Sequence, residues 1–172
     1  MEILSKLCNL MLSLFKTSSS ENATKNSSTN SSPKVSNPLI SIDVYFSDPT
    51  TGDDRRTKYP NEYNSVVKAN AEELLRRVEG LFNDLGIVAV RVSSGWRPMA
   101  VNEAAGGSKG SCHLTGEAID LVDTTGQLKQ SILNKVELLE KHDLYMEDPS
   151  HTKSWAHLQT RKTKSGKHVF IP

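Results

Sequence analysis

The composition of this chain breaks near residue 38, and the break decides where a core can form. Residues 17–37 read TSSSENATKNSSTNSSPKVSN, almost all Ser, Thr and Asn, with a single Val and no aromatic residue. Such a stretch buries too little apolar surface to offset the entropy of ordering it, so a disordered, Ser/Asn-rich flexible linker is expected there. Residues 1–16 differ. Ile3, Leu4, Leu7, Leu10, Met11, Leu14 and Phe15 recur at helical spacing, which predicts a short amphipathic helix. Residues 3–15 would then suit docking on a protein partner or a membrane surface. Only Lys6 charges the start and no small-x-small site follows, so a cleavable secretory signal is poorly supported. The folded domain is expected over residues 38–172.

Charge and cysteine content exclude several classes. The chain carries 21 Lys+Arg against 20 Asp+Glu, a formal balance of +1, which argues against nucleic-acid binding by bulk charge. Two cysteines, Cys8 and Cys112, cannot make a disulfide framework, and no apolar run is long enough to span a bilayer.

Within the domain, Ile40, Ile42, Val44 and Phe46 alternate with other residues as a half-buried strand would. A turn is expected from Asp48 to Asp54, then a helix from Tyr63 to Leu85 stopped by Gly86. Ile87–Val92 is short and β-branched, a strand by that pattern. Further strands are expected at Glu117–Val122, Leu144–Glu147, Trp155–Gln159 and Val169–Ile171, with an amphipathic helix over Gln127–Lys141. Two helices among short, irregularly placed strands give an α+β class.

The chemistry concentrates in Ser111-Cys112-His113-Leu114-Thr115-Gly116-Glu117-Ala118-Ile119-Asp120. A turn at Gly116 leading into a strand would let His113 and Asp120 converge on one cation. Zn²⁺ accepts both ligand types, and three protein ligands leave a fourth position open. His157, in Trp155-Ala156-His157, supplies a third ligand on a strand. On spacing alone, a core histidine and a solvated aspartate remain an equal alternative. Cys112 adjoins His113 and should point away from it as a buried structural thiol. The 161–167 run (RKTKSGK) reads as a solvated turn, or as a patch drawn to an anionic cell wall.

The pattern Ser-x-His-x-x-Gly-x-Ala-x-Asp at 111–120, followed by Trp-x-His at 155–157, resembles the zinc D-Ala-D-Ala carboxypeptidase family. The likeness is greatest to the phage and bacterial branch of that family, within the wider hedgehog/DD-peptidase superfamily. Ser94-Gly95-Trp96-Arg97-Pro98 is similar to that family's Ser-Gly-aromatic-Arg motif, and Asn102 with Ala104–Ser108 to the segment that joins the two motifs. The resemblance runs from about Val66 to Pro172. It implies a small antiparallel sheet with flanking helices, and Zn²⁺ held by His113, Asp120 and His157. It implies hydrolysis of peptidoglycan stem peptides, by a D,D-carboxypeptidase or an endopeptidase, with a catalytically silent zinc-binding module as the alternative. Arg97 would meet the substrate's carboxylate or carbonyl, with Ser111 and Trp96 beside it and Trp155 packed at the cleft.

One position departs from the pattern. Several branches carry an acidic residue three places before the last zinc histidine, where this chain has Ser154. Glu147 is the expected replacement as general base. In a hairpin centred near Thr152 it pairs across from His157, and cross-strand partners share a face. His151, in the loop, is the alternative base.

Overall fold

Ser41 decides how the described chain begins. Its side chain accepts a hydrogen bond from Val44 N at 3.2 Å and caps a short helix, α1 (Ile42–Phe46), where the alternation predicted a strand. The cap satisfies an orphan helical N–H, an effect of about 1 kcal/mol. Helical geometry also buries Tyr45 and Phe46 together and leaves Val44 exposed. A strand would have pointed those two aromatic neighbours to opposite faces. The structure, a computed structural model, describes residues 38–172; the segments 1–16 and 17–37 lie outside the described residues.

The turn expected at Asp48 forms, with Asp48 Oδ1 accepting from Thr50 N and Thr51 N. Asp54 then caps α2 (Arg55–Lys58). Arg55 is buried on this turn, donating to Trp96 O at 2.8 Å and to Asp48 Oδ2 at 3.1 Å. The long helix α3 (Ser65–Leu85) starts at Asn64, whose side chain accepts from Val66 N and Val67 N, and stops at Gly86 as expected. Its inner face is Val67, Ala71, Leu74, Val78, Leu81 and Phe82, spaced three and four apart. These residues pack with Tyr45, Phe46 and Trp96 into one core.

Five strands make one sheet in the order β1-β2-β4-β3-β5. They are β1 (Val92–Ser94), β2 (Ala118–Val122), β3 (Tyr145–Glu147), β4 (Trp155–Gln159) and β5 (Val169–Phe170). All neighbours are antiparallel except β3 and β5. The α+β reading and the flanking helices therefore hold.

Two expectations shift. The strand predicted over Ile87–Val92 begins only at Val92, because the preceding residues lack a partner ladder and Val88 is 87% exposed. Pairing runs instead from Val92 to Ser94 with a change of register between them, which carries Ser94 to the level of Asp120. The helix predicted over Gln127–Lys141 is two, α5 (Gln127–Leu133) and α6 (Glu137–Lys141), with α4 (Met99–Ala104) earlier in the chain. Between them the backbone tightens to three-residue bonds, Lys135 N to Ile132 O and Leu138 N to Lys135 O. That re-phasing leaves Ile132 and Leu139 both buried.

Candidate metal centre

Sheet register brings the chemistry together. Asp120 on β2 lies directly across from His157 on β4, and Ser94 on β1 lies across from Asp120. On the other side of β4, Tyr145 pairs with Gln159 and Met146 with Leu158, so the same register continued by one residue sets Glu147 opposite His157. Glu147 also pairs with Phe170 of β5. Ser94, Asp120, His157, Glu147 and Phe170 thus form one row across the sheet. Directly paired residues point to the same face.

His113 comes from outside the sheet, on the turn 112–116. Two glycines place it. A Cβ on Gly116, whose φ is +80°, would lie 2.5 Å from Val67 O, so only glycine lets this turn press onto α3. Asn70 Nδ2 fastens the same contact by donating to Thr115 O at 2.8 Å. At Gly95 a Cβ would overlap the Tyr45 carbonyl. The bare backbone there leaves Gly95 O facing His113 Nδ1 at 2.7 Å, while Arg97 N donates back to His113 O at 3.1 Å.

His113, Asp120 and His157 are buried, and their ligand atoms all lie within 4.8 Å of one another. His113 Nε2 is 3.2 Å from Asp120 Oδ2, and His157 Nδ1 is 2.7 Å from Asp120 Oδ1. The tautomers follow from the outer partners. Gly95 O can only accept, so His113 Nδ1 carries the proton and Nε2 is a lone pair. That Nε2 is buried without a hydrogen-bond partner. Gln159 Nε2 donates to Arg161 O at 2.6 Å, which turns Gln159 Oε1 toward His157 Nε2 at 3.3 Å. His157 therefore donates from Nε2 and aims Nδ1 at Asp120.

Two lone-pair nitrogens facing one carboxylate need positive charge between them. Burial alone would raise the Asp120 carboxyl, and only hydrogen-bond donation or positive charge at the two imidazole nitrogens holds it well below the usual carboxylate range. Burial pushes His113 down. It pushes His157 the same way, but the Asp120 carboxylate, the Gln159 oxygen and the Glu147 charge outweigh it and carry His157 upward. A divalent cation satisfies every one of these atoms. Two imidazole nitrogens and a carboxylate, with the outer N–H of each ring donated to a carbonyl oxygen, are the donor set and orienting contacts of a zinc site.

The other expected site residues divide. Arg97 Nη2 donates to Asp120 Oδ2 at 2.8 Å, so its first partner is the central carboxylate. Arg97, Asp120, Ser93, Ser94, Arg55 and Trp155 line a cleft of about 330 Å³ that reaches, of the three ligands, Asp120. Trp96 is corrected. It is 0% exposed, packed edge-on to Phe46 and Tyr63 with Nε1 donating to Leu114 O, and it supports the site from the core rather than meeting a substrate. Ser111 is half-buried, and its Oγ accepts from His113 N at 3.3 Å. His151 is exposed in the turn after β3, outside the strand row. Ser154 is exposed too, and its carbonyl accepts from Asp123 N. Cys112 is a free, half-buried thiol, and burial pushes its pKa up.

Three contributors escaped the sequence reading: Gly95, whose carbonyl accepts from His113 Nδ1, Gln159, and Arg161. Arg161 donates to Gly110 O at 2.9 Å and Thr115 Oγ1 at 2.8 Å and pairs with Glu117, tying the chain after β4 to the His113 turn. The signal for Gln159 was its place two residues after His157 on a strand, which puts both on one face.

Comparison with known families agrees with this site. A family model described as peptidase M15 matches residues 50–159, more than half of the chain. No curated protein matches the chain.

Proposed function

The chain belongs to the peptidase M15 family and is a metallopeptidase by that membership; from this premise we propose that it hydrolyses peptide bonds in peptidoglycan stem peptides, with Zn²⁺ held by His113, Asp120 and His157. The observation that carries the reading is the convergence of one nitrogen from each imidazole on a single buried carboxylate. Zinc in such a site supplies Lewis acidity, polarising a carbonyl and lowering the pKa of water toward about 7.

The chain's own residues do the rest. Glu147, in register opposite His157, takes the proton from the attacking water and passes it to the leaving amine. A serine cannot do this unaided, so Ser154 is not a substitute for the missing acid. Arg97 holds Asp120 in place and presents its guanidinium to the cleft, where its planar fork suits a peptide carboxylate or carbonyl. Ser93 and Ser94 add hydroxyls to the cleft wall and Trp155 an apolar surface. The cleft is at the lower end of the range for small-ligand pockets, about 300–1,000 Å³, which fits the end of a short peptide.

The test is mass spectrometry of purified muropeptides incubated with zinc-loaded protein. Shortened stem peptides are expected, and the mass lost identifies a carboxypeptidase or an endopeptidase cut. Glu147→Gln should keep its zinc and lose about 10²- to 10⁴-fold in turnover. Full turnover in Glu147→Gln moves the base to His151, to be checked with His151→Ala. A wild type that binds zinc and cleaves nothing is a silent binding module.

A further inference from the structure

Gln159 is a buried polar side chain, 7% exposed, with no part in the hydrolysis outlined above. Its amide is committed at both ends: Nε2 donates to Arg161 O, and Oε1 accepts from His157 Nε2. Arg161 is itself braced by Gly110 O, Thr115 Oγ1 and Glu117, on the segment that carries His113. We propose that Gln159 is a positioning residue that locks His157 in the tautomer whose Nδ1 is free for the metal ion. Gln159 does so as one link of a brace running from one histidine-bearing segment to the other. The proposal rests on the zinc reading of this site.

The physical argument concerns where one proton sits. A neutral imidazole carries its proton on either nitrogen, and the outer partner decides which. With Oε1 of Gln159 at Nε2, the proton is held on the outer side and Nδ1 offers a lone pair. Without an acceptor there, the proton would move to Nδ1, where Asp120 Oδ1 stands ready at 2.7 Å. That inner hydrogen bond occupies the position of the metal, so the alternative tautomer competes directly with binding. His113 needs no such side chain, since the Gly95 carbonyl sets its tautomer from the backbone.

The experiment measures zinc affinity by competition with a chromophoric chelator, on the full chain stripped of metal, alongside the melting temperature of each metal-free protein. Gln159→Leu is expected to bind zinc about 10- to 100-fold more weakly, the usual cost of losing an orienting contact to a ligand. Gln159→Glu, which keeps an acceptor facing Nε2, is expected to bind within a few-fold of wild type. Wild-type affinity in Gln159→Leu overturns the proposal. So does an equal loss in both variants, which would mark a structural role. A second measurement needs no variant: long-range ¹H–¹⁵N correlation of the zinc-loaded wild type should show the His157 proton on Nε2, and a proton on Nδ1 overturns the proposal. A wild type that binds no zinc overturns the zinc reading itself, and this proposal with it, whereas a wild type that binds while Gln159→Leu is unaffected overturns only the role of Gln159.

Discussion

The two histidines of the site are held by opposite means. His113 sits on a turn, positioned by backbone: a carbonyl from Gly95 on its ring, Arg97 N on its own carbonyl, and Gly116 pressed against α3. His157 sits mid-strand, flanked by two ladders, and its ring is oriented by the side chains of Asp120 and Gln159. Turn and strand therefore fail differently. The turn is sensitive to any added Cβ that lifts it off the helix. The strand is sensitive to side-chain chemistry and to register.

Asp120 joins the two regions, and its removal should have the largest effect. Asp120→Ala takes away the anion shared by both rings and leaves Arg97 buried without its partner, a loss of about 3–5 kcal/mol by the rule for broken buried pairs. Denaturant unfolding should read that cost, and metal analysis should find no stoichiometric zinc. A variant that kept its zinc would show that the two histidines suffice without their common partner.

Gly116→Ala comes next. A Cβ 2.5 Å from Val67 O, on a backbone with φ +80°, should destabilise by about 2–3 kcal/mol. Zinc affinity should fall in parallel, because His113 moves with the turn. Lost stability with unchanged affinity would mean that the turn does not govern its histidine.

Asn70→Ala probes the same seam more gently. Losing the bond to Thr115 O should cost about 1 kcal/mol. Thermal unfolding is the measure, and an unchanged midpoint would show that this bond adds nothing to the close approach at Gly116.

The smallest effect belongs to the outer face of α3. Glu73 accepts from Arg76 and Arg77, which hold its carboxyl down to about 2 from 4.5. A depressed carboxyl stabilises above its unfolded value and loses that contribution as pH falls from 4.5 toward 2. The group is well exposed, so Glu73→Gln should cost only about 0.3–0.5 kcal/mol at pH 7, and nothing near pH 2. Zinc affinity at neutral pH should not change. If it did, α3 would be transmitting more than its inner face contacts explain.

The sequence was legible where one physical rule acted alone. The long spacing of α3, the capped stop at Gly86 and the β2, β3 and β4 strands follow from periodicity and turn chemistry. The hairpin register follows too: a turn near Thr152 predicts the pairs Tyr145–Gln159 and Met146–Leu158, a register that continued by one residue sets Glu147 level with His157. It was not legible where a local contact competed with the pattern. Ser41 capping overrode the alternation in Ile42–Phe46. Val88 had strand propensity and no neighbour to pair with. Trp96 adjoins Arg97 in one motif, yet alternation along the chain sends the first into the core and the second toward Asp120. Strand alternation put Gln159 on the face of His157, but the orientation of its amide depends on Arg161 O, a backbone atom that no residue pattern reports.

The row Ser94–Asp120–His157–Glu147 has a consequence for assembly of the molecule. Four strands contribute one residue each, and the chain visits them out of spatial order, β1, β2, β3, then β4 between the last two. A slip of one residue in any ladder would turn that strand's contribution to the opposite face. A chain in which β2 and β4 are misregistered can still bury hydrophobic groups, but it cannot present Asp120 and His157 to one ion. Metal uptake would therefore report on folding: the fraction of chains able to load a metal ion counts those in which that ladder closed in step and the His113 turn seated beside it.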